Sequence, residues 1–214
     1  MTGHTSTCLG MGRTVLRAIR RIIDILLHAV YRVRFGRFQH LGRGVRISLS
    51  ARIGCPGRIS IGDWSQISEH SVVRATAGGH IRIGRGCFVG PFTTLLDAGG
   101  FIEMEDRASL GGSNFVTGQG GLKIGEAALI APMVSIVANQ HTFNDPHVPV
   151  RDQPESAKGI TIGRNGWIGV GAVILDGVTI GEHVVIGANS VVTRDLPSFC
   201  VAVGVPARVI KHIR

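Results

Sequence analysis

Aliphatic residues recur every six positions along most of this chain, in triples set apart by short insertions and by one long break. From Ile160 the sequence reads ITIGRNGWIGVGAVILDGVTIGEHVVIGANSVV, with the beat on Ile162, Ile168, Ile174, Ile180, Ile186 and Val192. Upstream it runs in triples: Ile61, Ile67, Val73; Ile83, Val89, Leu95; Met104, Leu110, Val116; Ile124, Ile130, Ile136. A weaker triple, Leu41, Ile47, Ile53, precedes them. Spacing within a triple is always six, whereas between triples it is eight, ten, nine, eight, twenty-six and finally six. Every insertion therefore falls at one corner of a three-sided coil.

This pattern predicts a parallel β-solenoid built on a hexapeptide repeat. One aliphatic residue per short strand points inward, and strands of successive coils pair at about 4.8 Å per rung. The residue after the beat is small at two corners (Gly84 and Gly90, Gly163 and Gly169) and larger at the third (Leu96, Val137, Leu175). Small residues there are expected to permit a left-handed or cramped backbone. No single coil could be stable alone, because each buries its apolar side only against its neighbours. Composition agrees, with 31 glycines and only 5% aromatic residues, as narrow coils require. The predicted organisation is a basic helix and linker over 1–40, the solenoid over 41–196 with a long loop at 138–160, and a C-terminal strand and short helix over 197–214.

Charge is concentrated at one end. Residues 1–46 hold nine arginines against Asp24 alone, so +8 of the formal +9 lies there. In TVLRAIRRIIDILLHAVYRVRF, Arg13, Arg17, Arg20, Arg21, Asp24, His28 and Arg32 follow helical spacing, with Leu16, Ile19, Ile23, Leu26, Val30 and Val33 on the other side. This amphipathic helix is too often interrupted by charge to span a bilayer. It suits two roles, a cap on the open end of the stack or a contact with an anionic membrane surface. A mixed outcome is expected, with part of the apolar side docked on the first coil and the arginines offered to headgroups. No aromatic interleaving accompanies the arginines, so no nucleic-acid partner is expected. Four cysteines (Cys8, Cys55, Cys87, Cys200) without CxxC spacing, and no signal-peptide pattern, point to reduced thiols in the cytoplasm.

The break is ANQHTFNDPHVPVRDQPESAKG, residues 138–159. Long loops in compact domains are usually functional or disordered. His141 stands at the root of this one, five residues past Ile136, where a rigid rung would hold a general base in place.

At this point the chain resembles a known family. IGEAALIAPMVSIVANQHTF, the run from Ile160 to Pro197, and VGVPARVIKHI are similar to the hexapeptide-repeat O-acetyltransferases of the galactoside, maltose and capsule-polysaccharide type. The resemblance is strong over 104–214 and generic before that. It implies a left-handed parallel β-helix, a homotrimer, acetyl-CoA in a groove between subunits, and His141 as catalytic base. It further implies cofactor contacts at Val170, Ala188, Thr193 and Arg194, and phosphate contacts at Arg208 and Lys211. Trp167, one of only two tryptophans, has two readings, a wall of the groove or packing against the loop. Where the family holds its sugar acceptor with an asparagine and an aspartate, this chain has Gly111 and Gln119. Asn114 is the nearby candidate substitute.

The expected chemistry is direct acetyl transfer to a hydroxyl of a sugar, polysaccharide precursor or lipid-linked glycan, with no covalent enzyme intermediate and no metal. Two alternatives stand beside it. One is a metal hydratase resembling the γ-class carbonic anhydrases, using His141 and His147, which lacks a clear third ligand. The other is a non-catalytic solenoid that binds sugar nucleotides.

Overall fold

The computed structural model describes residues 7–213, with side chains from Ala18 onward. The side chains of Cys8, Arg13, Leu16 and Arg17 lie outside the described ones. One helix, α1 (Thr7–Phe35), precedes a solenoid of three parallel sheets. The first face stacks His40–Leu41, Ile59–Ile61, His80–Ile83, Phe101–Met104, Leu122–Ile124, Ile160–Ile162 and Thr179–Ile180. The second runs from Arg46–Ile47 to Val185–Ile186, and the third from Arg52–Gly54 to Val191–Val192. These are the strands of a left-handed parallel β-helix. The weak triple Leu41, Ile47, Ile53 is a real first coil, pairing with Ile61, Ile67 and Val73. Seven coils at the usual rung spacing make a prism about 34 Å long.

The stacked beat residues form the core. Ile61, Val73, Val89, Leu95, Leu110, Val116, Ile124, Ile136, Ile168 and Ile174 are all buried. The first face adds a second inward column two residues earlier, Ile59, Ile81, Ile102, Leu122, Ile160 and Val178. Its strands follow the permissive corner and are longer, so alternation turns a second side chain inward.

Corner chemistry differs from the expectation. The left-handed residue lies three positions past the beat, and it is often large: Trp64 (φ 63), Phe92 (φ 58), Met133 (φ 60) and Asn165 (φ 56). The small residue directly after the beat serves close approach instead. A Cβ on Gly163 would fall 2.5 Å from the carbonyl carbon of Gly181, and one on Gly90 2.5 Å from that of Gly111. Those glycines let successive coils stack, and the tight bend is made elsewhere.

Both open ends are covered. At the first coil α1 docks through Leu27, Tyr31 and Phe35. The Tyr31 hydroxyl accepts from the Ile47 amide (2.9 Å), Asp24 accepts from the Gly44 amide (3.2 Å), and His28 Nε2 donates to the Gly42 carbonyl (3.1 Å). Docking therefore uses the side carrying Asp24 and His28, with two aromatics, and not the aliphatic stripe as expected. At the far end the expected short helix is absent. Residues Cys200–Gly204 extend the second face, and Ala207–His212 fold back on them as an antiparallel hairpin. Cys200, Ala202 and Ala207 bury their side chains, and Gly204 (φ 104) takes the positive φ of the turn, so this segment satisfies sheet geometry.

Candidate active site

The break in the repeat is an ordered hairpin. Gln140–His141 pairs antiparallel with Glu155–Ser156, His141 opposite Glu155. Beyond the pair, Thr142 donates through its amide and hydroxyl to the Pro154 carbonyl (2.9 and 2.8 Å). Gln153 bridges the tip, donating to the carbonyls of Asp145 and Val148 at 2.8 Å each. The return arm is clasped by Asp176, which accepts from the amides of Lys158 and Gly159 and from the Ser156 hydroxyl, all near 2.9 Å. Partial burial opposes ionisation of Asp176, but these donors outweigh it and hold its carboxyl below the ordinary value.

His141 sits where this hairpin leaves the third face. Its Nε2 lies 3.4 Å from Glu155 Oε1, and the side chain is 49% exposed, so a substrate can reach the ring. Glu155 is itself oriented, with Oε2 accepting from Gln119 Nε2 (2.8 Å) and Asn139 Nδ2 (3.4 Å). Thr117 Oγ1 in turn donates to Asn139 Oδ1 (3.2 Å). A carboxylate held in this way can fix an imidazole tautomer and stabilise the imidazolium. Glu155 was not singled out from the sequence. Its signal is topological, since it stands fourteen residues from His141 and meets it only because the loop arms pair.

The remaining candidates divide between two edges of the prism. Thr193 and Arg194 follow Val191–Val192 at the same corner as His141, two rungs further along. Val170 and Ala188 lie at the corner between the second and third faces, both exposed. There the would-be Cβ of Gly169 falls 2.6 Å from the Ala188 amide, so the two coils are in close contact. Trp167 is exposed on the second face, in register with Val185, Val201 and then Lys211. The hairpin carries a bulge between Val201 and Ala202, which places Arg208 opposite Val203 and Lys211 opposite Val201. Residues three apart thereby share the outward side of the sheet. Arg208 donates only to its neighbour's carbonyl at Ala207, and both cations are exposed. A six-residue side separates the Val170 corner from the His141 corner, at most about 20 Å. Within one chain, His141 is not brought together with Trp167, Val170, Ala188, Arg208 or Lys211.

Asn114 is a correction. It is buried at 2%, its Nδ2 donates to the Gly111 carbonyl (2.9 Å), and its Oδ1 accepts from the Val134 amide (2.7 Å). Its amide staples two coils, and at this burial it is out of an acceptor's reach. Cys87 and Cys200 are also buried, and desolvation pushes the Cys87 thiol up to about 11, so it is no nucleophile at neutral pH. Among the described residues no three His, Cys, Asp or Glu side chains are grouped to hold a metal ion, and His147 stands apart at the loop tip.

The comparisons with known proteins agree with this architecture. The bacterial transferase hexapeptide model (six repeats) matches residues 159–194. A probable acetyltransferase of Mycobacterium tuberculosis is 30% identical over 172 residues, 80% of this chain and 49% of that protein. The galactoside O-acetyltransferase of Escherichia coli is 48% identical over 91 residues, 42% of this chain and 43% of that enzyme. The chain thus spans about half the length of the curated relatives it matches. Among solved structures, a serine-to-alanine mutant of AntD, an N-acyltransferase from Bacillus cereus in complex with dTDP-4-amino-4,6-dideoxyglucose and coenzyme A, matches with a TM-score of 0.61. That match covers 88% of this chain and 89% of the other, at 25% identity. Residues 159–194 thus carry bacterial transferase hexapeptide repeats, and the chain is similar in sequence to proteins named acetyltransferases.

Proposed function

We propose that this protein is a cytoplasmic acetyl-CoA-dependent O-acetyltransferase acting on a hydroxyl of a sugar or polysaccharide precursor. The observation that carries the reading is the half-exposed His141 ring held against the oriented Glu155 carboxylate at the root of the loop. With Nε2 beside the Glu155 carboxylate, the other ring nitrogen is available to take the acceptor proton. The acceptor oxygen attacks the thioester carbonyl, the C–S bond breaks, and the imidazolium returns the proton to the departing thiolate. Acetyl ester and free coenzyme A are the products. General base catalysis of this kind contributes roughly 10² to 10⁴ in rate.

The separation of the two groups of candidates supports a site shared between chains. Phe92, Leu129, Met133 and Trp167 are large, apolar and more than half exposed on the second face and its corner, which suits contact with a neighbouring prism. A cyclic trimer would set the His141 corner of one protomer against the Val170 corner of the next, with Arg208 and Lys211 available to the phosphates of coenzyme A. Sedimentation should give a mass of about three chains, and an active monomer would refute the shared site.

A second reading is favoured by one observation. The AntD match runs over most of the chain, and that protein is an N-acyltransferase bound to a nucleotide-linked amino sugar. On this reading the acceptor is a sugar amine. Thiol release from acetyl-CoA, measured with hydroxyl sugars and with amino-sugar nucleotides, separates the two, and no release with either class would leave a non-catalytic binding solenoid.

A further inference from the structure

The side of α1 that faces away from the solenoid carries no polar residue across its middle. Ile19, Ile22, Ile25, Leu26, Val30 and Val33 are 45% to 90% exposed, with Val33 the most open. Over the fifteen residues from Ile19 to Val33 the stripe is about 21 Å long. With 3.6 residues per turn, Arg21 and Arg32 fall along one edge of it and Arg20 and Arg34 along the other. All four arginines are exposed. The polar and aromatic groups that would normally face water, Asp24, His28 and Tyr31, are instead turned onto the first coil and bonded there. The helix is thus fixed to the fold by its polar side, and its apolar side is presented outward on a rigid support.

We propose that this face is a membrane-docking surface, which lies in the plane of an anionic bilayer with its aliphatic stripe among the upper acyl chains and its arginine edges on lipid phosphates. Among the described residues no helix is long and apolar enough to cross a membrane, and an amphipathic helix of this kind lies along the surface. Charge decides the occupant. Asp24, the one acidic residue between Ala18 and Phe35, faces the coil and accepts from Gly44. A second copy packed face to face would set arginine edge against arginine edge with no counter-charge between them. Anionic headgroups supply that charge along both edges at once, and each basic residue near such a surface adds attraction that salt screens. Because α1 sits on the first coil, the bilayer meets the end of the prism and the His141 rung stands four coils away, about 19 Å.

The test is flotation of the full chain with vesicles of phosphatidylcholine alone and of phosphatidylcholine mixed with phosphatidylglycerol. Binding is expected to the anionic vesicles, weakening as salt rises, with little binding to the neutral ones. The double variant Leu26→Asp/Val33→Asp, at two exposed positions, should bind at least about tenfold more weakly, since burial of the stripe is lost. Its melting temperature and sedimentation should be unchanged. Arg21→Glu/Arg32→Glu should remove the preference for anionic lipid. Absence of wild-type binding, or wild-type binding by the aspartate variant, would overturn the proposal. So would a change of sedimenting mass in that variant together with unaltered flotation, which would give the face to a second copy of the chain.

Discussion

His141 and Glu155 stand opposite each other in the antiparallel ladder that closes the long loop, with Nε2 3.4 Å from Oε1. On the function proposed above, the loop root is a two-residue device in which the carboxylate supports the ring that transfers the proton. His141→Ala is expected to lower kcat by about 100-fold or more while leaving acetyl-CoA affinity nearly unchanged. Glu155→Gln keeps the shape and the bond to Gln119 but removes the charge, and a loss of about tenfold is expected, smaller than for the base itself. That loss should fall on kcat, with KM for acetyl-CoA nearly unchanged. A kcat identical to wild type would make Glu155 a loop contact only.

The periodic part of this architecture was legible because the beat is the core. Each aliphatic at six-residue spacing from Ile61 to Val192 reads directly as an inward side chain. Features set by contacts between coils were harder to read. The left-handed corner at Phe92 or Met133 carries no glycine signal, because the small residue is needed where the next coil passes overhead. Where a short C-terminal helix is expected, ARVIKH is a strand, and a bulge shifts its register and leaves Arg208 and Lys211 on one side of a sheet. The orientation of α1 was misread for a similar reason. Tyr31 and Phe35 anchor it, and two aromatics beside Asp24 and His28 outweigh a longer aliphatic stripe that has no coil to cover it. Asn114 looked like a candidate because it lay near the expected position in sequence, and only its two bonds to the backbone show it as a staple.

The shared outward side of Arg208 and Lys211 leads to a kinetic prediction. Phosphate contacts remote from the thioester bind ground and transition states alike. Arg208→Ala/Lys211→Ala should raise KM for acetyl-CoA by about tenfold or more and change kcat little. Dephospho-coenzyme A donors show which phosphate the pair holds, since the variant should lose its handicap with the donor that lacks it. An unchanged donor KM would move the phosphate site elsewhere.

The stacking glycines predict a contrast within one corner. Gly163→Ala puts a methyl group 2.5 Å from the backbone of Gly181, where no side chain can yield, and should cost about 1–3 kcal/mol in urea unfolding. Asn165→Gly, two residues on, falls at φ 56 and should stay within about 1 kcal/mol of wild type, since glycine accepts that conformation readily. If both variants melt alike, coil spacing is set by something other than these glycines.

Asp176 gives the site its dependence on acid. Burial favours its neutral form, yet the Lys158 and Gly159 amides and the Ser156 hydroxyl together hold its carboxyl below the ordinary value of 3.8. A carboxyl depressed on folding contributes stability that is fully present above its unfolded value and is lost as pH falls through the lower folded one. The return arm of the loop should therefore stay clasped at neutral and mildly acid pH and be released only below about pH 4. Asp176→Asn removes the charge at every pH and should reproduce the released state at pH 7, because one amide oxygen cannot serve three donors as a carboxylate does. Trypsin cleavage after Arg151, which lies in the loop, is expected to speed up in this variant, and acceptor KM should rise more than acetyl-CoA KM because Glu155 loses its fixed position opposite His141. Equal cleavage rates for wild type and Asp176→Asn at pH 7 would show that the hairpin, and not this carboxylate, holds the loop.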